Sequence, residues 1–240
     1  MSKVVVTTVL PDSGASDLLT IGAASDSVAI SGDSLNVDTL QDAGGNTIFV
    51  SDGSGTITSK NSGFPAGLNL ISTATASGDS SLSFTSGIDS TYDVYCFKFI
   101  TINPATDGAE FQVNFSNQIK TTTFFKARHG EDDTTFFAYV TADDLAQSTA
   151  YQNLTNYSGS AADRSSSGEL WLFNPSSTTY VKQFYARIAT VDAGAGTAQS
   201  IDDFYIGGYI NITSAVTEID FKMDSGNFDG IIKMYGISKS

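Results

Sequence analysis

Short apolar stretches alternate with turn residues through the first quarter of the chain. From Leu18 to residue 63, aliphatic residues recur every few positions, with Gly, Asp, Ser and Asn between them. These spacer residues favour tight reversals of the backbone, so the pattern predicts a β-repeat over residues 18–63. The aliphatic residues that would form its apolar side are Ile21, Ile30, Val37, Ile48, Val50 and Ile57.

This β-repeat has too little side-chain bulk to build a core within one chain. Phe49 is the only aromatic residue before Phe64. Two or three copies placed side by side would bury the aliphatic residues, most simply around a threefold axis. We therefore predict a homotrimer held together through this segment. The alternative is a flexible linker rich in Ser, Gly and Asp.

Longer strand-like runs follow a predicted hinge at residues 62–65. Phe111, Val113 and Phe115 alternate with polar neighbours, the period-2 pattern of a half-buried strand. About ten such runs with turns between them predict a jelly-roll-like β-sandwich over residues 64–240. The fold class is thus all-β. The predicted core aromatics are Phe111, Phe115, Trp171, Phe173, Tyr209 and Phe221.

One stretch of the sandwich domain has a helical pattern. Residues 141–154 begin with Thr141, a candidate cap, and Asp144 stands at the third helical position. We expect one or two turns of helix there.

Residues 1–17 predict a docking arm. One strand-like run, ended by Pro11, is too short to be a secretory apolar region. The chain also has no apolar run of about 20 residues, the length of a membrane span. We therefore expect synthesis in a cytosol and no membrane insertion.

Charge narrows the range of partners. The net charge is −14 and the isoelectric point is about 4.1, which disfavours nucleic-acid binding because that needs a basic face. The single cysteine, Cys96, lies in an apolar strand pattern. It excludes an internal disulfide and a cysteine metal cluster, and predicts a buried thiol.

The residues suited to catalysis are few. His129, the only histidine, stands beside three carboxylates in residues 131–133. This predicts either a metal or general-base site, or an acidic turn between two strands. A glycan depolymerase would need two carboxylates facing each other in a cleft. The candidates for such a pair are Asp107, Glu110, Glu169, Asp202 and Asp203.

We predict a chain without catalytic activity and without a cofactor. No G-x-S-x-G motif accompanies the lone histidine, and the basic residues are few and scattered. Tyr151 and Tyr157 lie in a polar loop and are candidates for contact with a sugar or a protein surface. The alternative for both is packing on the rim of the sandwich.

Two sequence blocks resemble a known family. Residues 44–59, GGNTIFVSDGSGTITS, precede an aromatic β domain that ends in FKMDSGNFDGIIKMYGIS. This arrangement resembles the tail-fibre and virion-appendage proteins of marine bacteriophages. The resemblance implies an N-terminal segment that binds the particle, a trimerising β-repeat and an outward-facing jelly-roll-like domain.

The expected function is therefore structural. We expect a trimeric virion appendage, a tail fibre or receptor-binding tip, made in the host cytoplasm and contacting a host-surface glycan or protein. Its N-terminal arm would dock to other virion proteins. Two alternatives stay open: a capsid decoration (cement) protein docked on the head through the arm, and a glycan depolymerase.

Overall fold

The structure, a computed structural model, describes residues 39–41, 45–51, 54, 57–60, 67–192 and 199–237, with the backbone alone for residues 57–60. The chain divides into two compact units, Met1–Asn61 and Ser62–Ser240. The predicted arm and the predicted hinge lie outside the described residues. The domain boundaries of the sequence analysis stay predictions.

The described residues of the first unit form one antiparallel sheet of three short strands. They are β1 (Thr39–Gln41), β2 (Thr47–Ser51) and β3 (Ile57–Lys60), in the order β1-β2-β3. All five residues of β2 are half-buried.

The second unit is a β-sandwich of two antiparallel sheets. Its strands are β4 (Leu68–Asp79), β5 (Ser81–Phe84), β6 (Val94–Pro104), β7 (Phe111–Asn114), β8 (Lys120–Gly130), β9 (Thr135–Tyr139), β10 (Gln152–Asn153), β11 (Ser166–Phe173), β12 (Lys182–Asp192), β13 (Ser200–Ile210), β14 (Ile219–Met223) and β15 (Phe228–Ile237). The larger sheet has the order β4-β15-β6-β11-β12-β13-β8-β9, and the smaller has the order β10-β7-β14-β5. The predicted all-β sandwich is confirmed.

Eight of these strands pair in a nested way. β4 pairs with β15, β5 with β14, β6 with β11, and β7 with β10. This nesting of first with last is what a jelly-roll-like sandwich requires. The other four strands, β12, β13, β8 and β9, extend the larger sheet beyond β11.

The core lies between the sheets and is aromatic at its centre. Phe221 of β14 is fully buried, and its ring centroid lies 5.3 Å from that of Phe99, 5.6 Å from Phe97, 5.9 Å from Phe111 and 6.2 Å from Phe84. Such clusters contribute both apolar burial and favourable ring geometry.

Three of the six predicted core aromatics are in the core, and three are not. Phe111, Phe115 and Phe221 are fully buried. Trp171, Phe173 and Tyr209 are half-buried instead, and the fully buried residues beside them are Leu170, Leu172 and Ile210. The prediction was wrong there by one position, which moves a strand residue to the other face of the sheet.

The predicted helix at residues 141–154 is also wrong. This segment consists of turns, a bridge and the two-residue strand β10. Gln147 has a left-handed backbone (φ 49°), which a right-handed helix cannot include. Side chains also compete for the backbone: the buried Gln152 amide donates to the Asp143 carbonyl at 2.8 Å. Leu154, fully buried, anchors the segment to the core.

We predict that Phe221→Ala lowers the free energy of unfolding by about 3–5 kcal/mol, because it removes the ring at the centre of the cluster and leaves a cavity. Phe173→Ala is the matched control. Its half-buried ring lies on the opposite face, so we expect a loss of about 1–2 kcal/mol. Urea unfolding of the three proteins measures both values. Equal losses would contradict the assignment of faces.

Candidate functional site

The outer face of the larger sheet carries a row of charged and aromatic side chains. Strand pairing places Lys98 beside Glu169, Glu169 beside Arg187, and Arg187 beside Tyr205. Pairing continues the row from Tyr205 to Phe125 and Tyr139 at the β9 edge. Charged groups therefore occupy the middle of the sheet, and aromatic rings occupy its edge.

A second row runs beside the first and contains small residues. Ala189, Asp203, Ala127 and Phe137 follow one another across β12, β13, β8 and β9. Small side chains between larger neighbours leave hollows. One, of about 250 Å³, is lined by Phe125, Ala127, Phe137, Asp203 and Tyr205.

A second hollow adjoins the first. It measures about 520 Å³, and its lining includes Lys98, Glu169, Arg187, Ala189 and Asp203. Asp203 borders both hollows. We call the two together the outer-face groove. A third hollow, of about 410 Å³, lies farther along the face near His129 and shares Ile201 with the second.

The charged residues of the groove are paired. Lys98 donates to Glu169, and Arg187 donates to both Asp203 oxygens, at 3.0 Å from Nε and 2.7 Å from Nη2. Burial alone would raise the pKa of Glu169, but the hydrogen bond from Lys98 and the positive charges of Lys98 and Arg187 outweigh it and lower that pKa below its usual value. Glu169 is therefore a carboxylate at neutral pH.

The aromatic end of the groove is exposed. Phe137 is 75% exposed and Tyr205 is 50% exposed. The Phe137 ring stacks on Phe125 with centroids 6.4 Å apart, and Tyr139 meets the same ring edge-on at 5.1 Å. Apolar rings held in place on an exposed face are typical of a contact surface.

The candidate carboxylates of the sequence analysis are dispersed. Glu169 and Asp203 line the same hollow. Asp107 lies in an exposed turn, 3.8 Å from Arg164. Glu110 accepts a hydrogen bond from Asn153 at 2.6 Å, and burial, followed by repulsion from Asp143 and Asp224, raises its pKa.

Asp202 is buried in an ionic cluster on the inner side of the sheet. Arg128 binds it through two hydrogen bonds of 2.7 and 2.8 Å, and the Lys126 ammonium lies 2.8 Å away. Arg128 also binds Asp192. Burial alone would raise the pKa of Asp202, but the hydrogen bonds from Arg128 and Lys126 outweigh it and lower that pKa. We therefore expect Asp202 to stabilise the fold.

His129 is near the end of β8, and the acidic turn to β9 follows it. Its Nε2 lies 3.1 Å from the Asp133 carboxylate. The acidic turn between two strands is thus as expected. Among the described residues, no group of three or more His, Cys, Asp or Glu side chains is arranged to hold a metal ion.

Cys96 is fully buried, as predicted, but on the outer side of the sheet. It pairs with Trp171 on one neighbouring strand and Tyr235 on the other. Burial raises the pKa of its thiol to about 11, so the thiolate that would react is scarce at neutral pH.

The structure places the predicted contact tyrosines separately. Tyr151 is half-buried, with the Lys222 ammonium 4.6 Å from its ring centroid. Tyr157 is 38% exposed and would obstruct any side chain at Gly108. Their role in surface contact stays a prediction.

The predicted trimer contacts are only partly described. Ile48 and Val50 are half-buried in β2, and Ile57 begins β3. Ile21, Ile30 and Val37 lie outside the described residues.

Sequence reasoning missed the groove residues Phe125, Phe137, Arg187 and Tyr205. One signal was available: Phe136 and Phe137 are adjacent in a short strand, so they face opposite sides and cannot both enter one core. Both are exposed in β9, at the sheet edge.

The part of the chain that the structure describes contains no helix long and apolar enough to cross a membrane. No family model, curated protein or solved structure matches the chain.

We predict that Asp202→Asn lowers the free energy of unfolding by about 3 kcal/mol, because it leaves Lys126 and Arg128 without their shared buried partner. Asp203→Asn is the matched control. Its pair with Arg187 is exposed, so we expect a loss of at most about 1 kcal/mol. Urea unfolding at neutral pH measures both.

Acid titration gives a second readout of this cluster. Because the folded-state pKa of Asp202 is lowered, its stabilisation is present above the unfolded-state pKa and is lost as the pH falls toward the folded-state value. Asp202→Asn should therefore flatten the acid side of the stability profile. An unchanged profile would contradict the role assigned to the cluster.

Proposed function

We propose that this chain is a non-enzymatic structural protein of a bacteriophage particle, a trimeric appendage of the tail-fibre or receptor-binding-tip type. The observation that carries the proposal is the outer-face groove, an open surface with exposed aromatic rings beside paired charges. In this proposal the sandwich contacts the host surface, and the N-terminal segment assembles and docks the protein.

The ion pairing of the groove carboxylates favours a role in contact with the host surface over a role in catalysis. A glycoside hydrolase needs one carboxylic acid with a raised pKa facing a second carboxylate. In the groove, Glu169 is bound to Lys98 and has a lowered pKa, and Asp203 is held by Arg187. Both carboxylates are therefore held in ion pairs.

The first unit supports assembly. Its described strands form a single small sheet, and a sheet of three short strands buries little apolar area by itself. Ile48 and Val50 lie in the strand at its centre. Packing against equivalent strands of two further copies would bury both residues.

We predict that the full chain sediments as a trimer of the 25.2 kDa subunit, while residues 62–240 alone sediment as a monomer. Ile48→Asp and Val50→Asp should each shift the full chain toward the monomer, because a charge in the apolar contact is costly. Ser54→Asp, at an exposed turn position, is the charge-matched control. Analytical ultracentrifugation measures all five. A monomeric full chain would contradict this mode of assembly.

We further predict that gold-labelled antibodies against the sandwich mark the tail of particles that contain this chain. Electron microscopy of the labelled particles locates the protein. Label over the head at threefold positions would contradict the appendage role and assign the chain to capsid decoration instead. Particles without label, next to a positive immunoblot of infected cells, would contradict a virion role.

A further inference from the structure

The groove contains two hollows at a defined separation. Their floors are Ala127 on β8 and Ala189 on β12, with β13 between them. Two inter-strand steps separate the floors by about 10 Å. That distance matches two repeats along an oligosaccharide, so the rings on either side of one intervening sugar can occupy the two hollows.

The first hollow offers aromatic walls. Phe125, Phe137 and Tyr205 line it, and the last two are at least half exposed. The C–H groups on one side of a sugar ring carry slight positive charge, and the faces of aromatic rings carry slight negative charge. Their contact removes apolar surface from water without desolvating hydroxyl groups, so this hollow suits the apolar side of a sugar.

The second hollow offers hydrogen bonds without net charge. It is lined by two cations, Lys98 and Arg187, and two carboxylates, Glu169 and Asp203, which bind one another in pairs. Paired carboxylates still have free lone pairs, and a guanidinium has five N–H donors. Hydroxyl groups both donate and accept, so they match this surface.

The local neutrality also discriminates between ligands. The whole chain has a net charge of −14, which repels polyanions, yet the charges of the second hollow sum to zero. A strongly cationic ligand gains little there, because the cation paired with each carboxylate already offsets its charge. The chemistry therefore favours a neutral, hydroxyl-rich ligand.

We infer that the outer-face groove binds a neutral oligosaccharide, with one sugar ring over Ala127 against Phe137 and Tyr205, and a second over Ala189 within reach of Arg187 and Glu169. This inference rests on the proposed contact function and names the class of ligand for it. A protein partner fits less well, since the centre of a stable protein interface is depleted in charged residues, whereas four charges line this groove.

The test uses the full chain and a panel of neutral fluorescent hexasaccharides: α-1,4-glucan, β-1,4-glucan, β-1,3-glucan, mannan and galactan. An alginate hexasaccharide is the anionic probe. Fluorescence anisotropy measures binding. We expect saturable binding of at least one neutral probe and none of the alginate probe.

Variants in each hollow test its contribution to binding separately. Tyr205→Ala and Phe137→Ala should each weaken binding about tenfold, because each removes one aromatic contact. Ala127→Leu and Ala189→Leu fill the hollows without removing a ring, and each should weaken binding at least as much. Tyr180→Ala is the matched control, since Tyr180 is 70% exposed and is not part of the groove; it should bind as the unaltered chain does.

The outcomes that overturn the inference are distinct from those that overturn the proposed function. Absence of binding to every neutral probe would refute it, as would binding that all four groove variants leave unchanged. Self-association that Phe137→Ala abolishes, without sugar binding, would assign the face to a second copy of the chain. Label on the tail in any of these cases would keep the appendage role.

Discussion

The sandwich depends on covering the inner face of a sheet that has twice as many strands as the sheet packed on it. The smaller sheet has four strands and the larger has eight. An uncovered inner face would leave the apolar residues of β12, β13 and β8 in water. The turn-rich segment after β9 lies against β8, where Thr122 bonds to Leu145 and Gln152. Farther along the same face, Asp202 is paired with Lys126 and Arg128. Among the described residues, the opposite face keeps Phe137 and Tyr205 at least half exposed.

Much of the architecture could be predicted from period-2 patterns, because strands such as β7 alternate cleanly between apolar and polar residues. The pattern carries no information where both faces are apolar. In β11 the run Leu170, Trp171, Leu172 and Phe173 fits either orientation, and the largest side chains are not the inward ones. Burial there is decided by the neighbouring strands, which a single sequence does not display.

The groove was hidden from the sequence for a similar reason. Arg187 and Tyr205, or Asp203 and Ala127, become neighbours only through strand pairing. The wrong helix at residues 141–154 has a different cause. Its Asp, Asn, Gln and Ser side chains bind backbone or one another, and this local competition overrides a weak helical pattern.

The nested pairing of first strand with last sets the order in which the sandwich can be completed. A hydrogen bond from Asn69 to Gly236 closes a loop of 167 residues, and one from Gly78 to Asp229 closes a loop of 151. Contacts between such distant positions form slowly because the chain must first be brought together. While the protein is being synthesised, β4 and β6 must therefore wait for β15 to leave the ribosome. During that interval, the edges of β4 and β6 with which β15 later pairs are unpaired. The nascent chain therefore exposes strand edges that are paired in the finished fold.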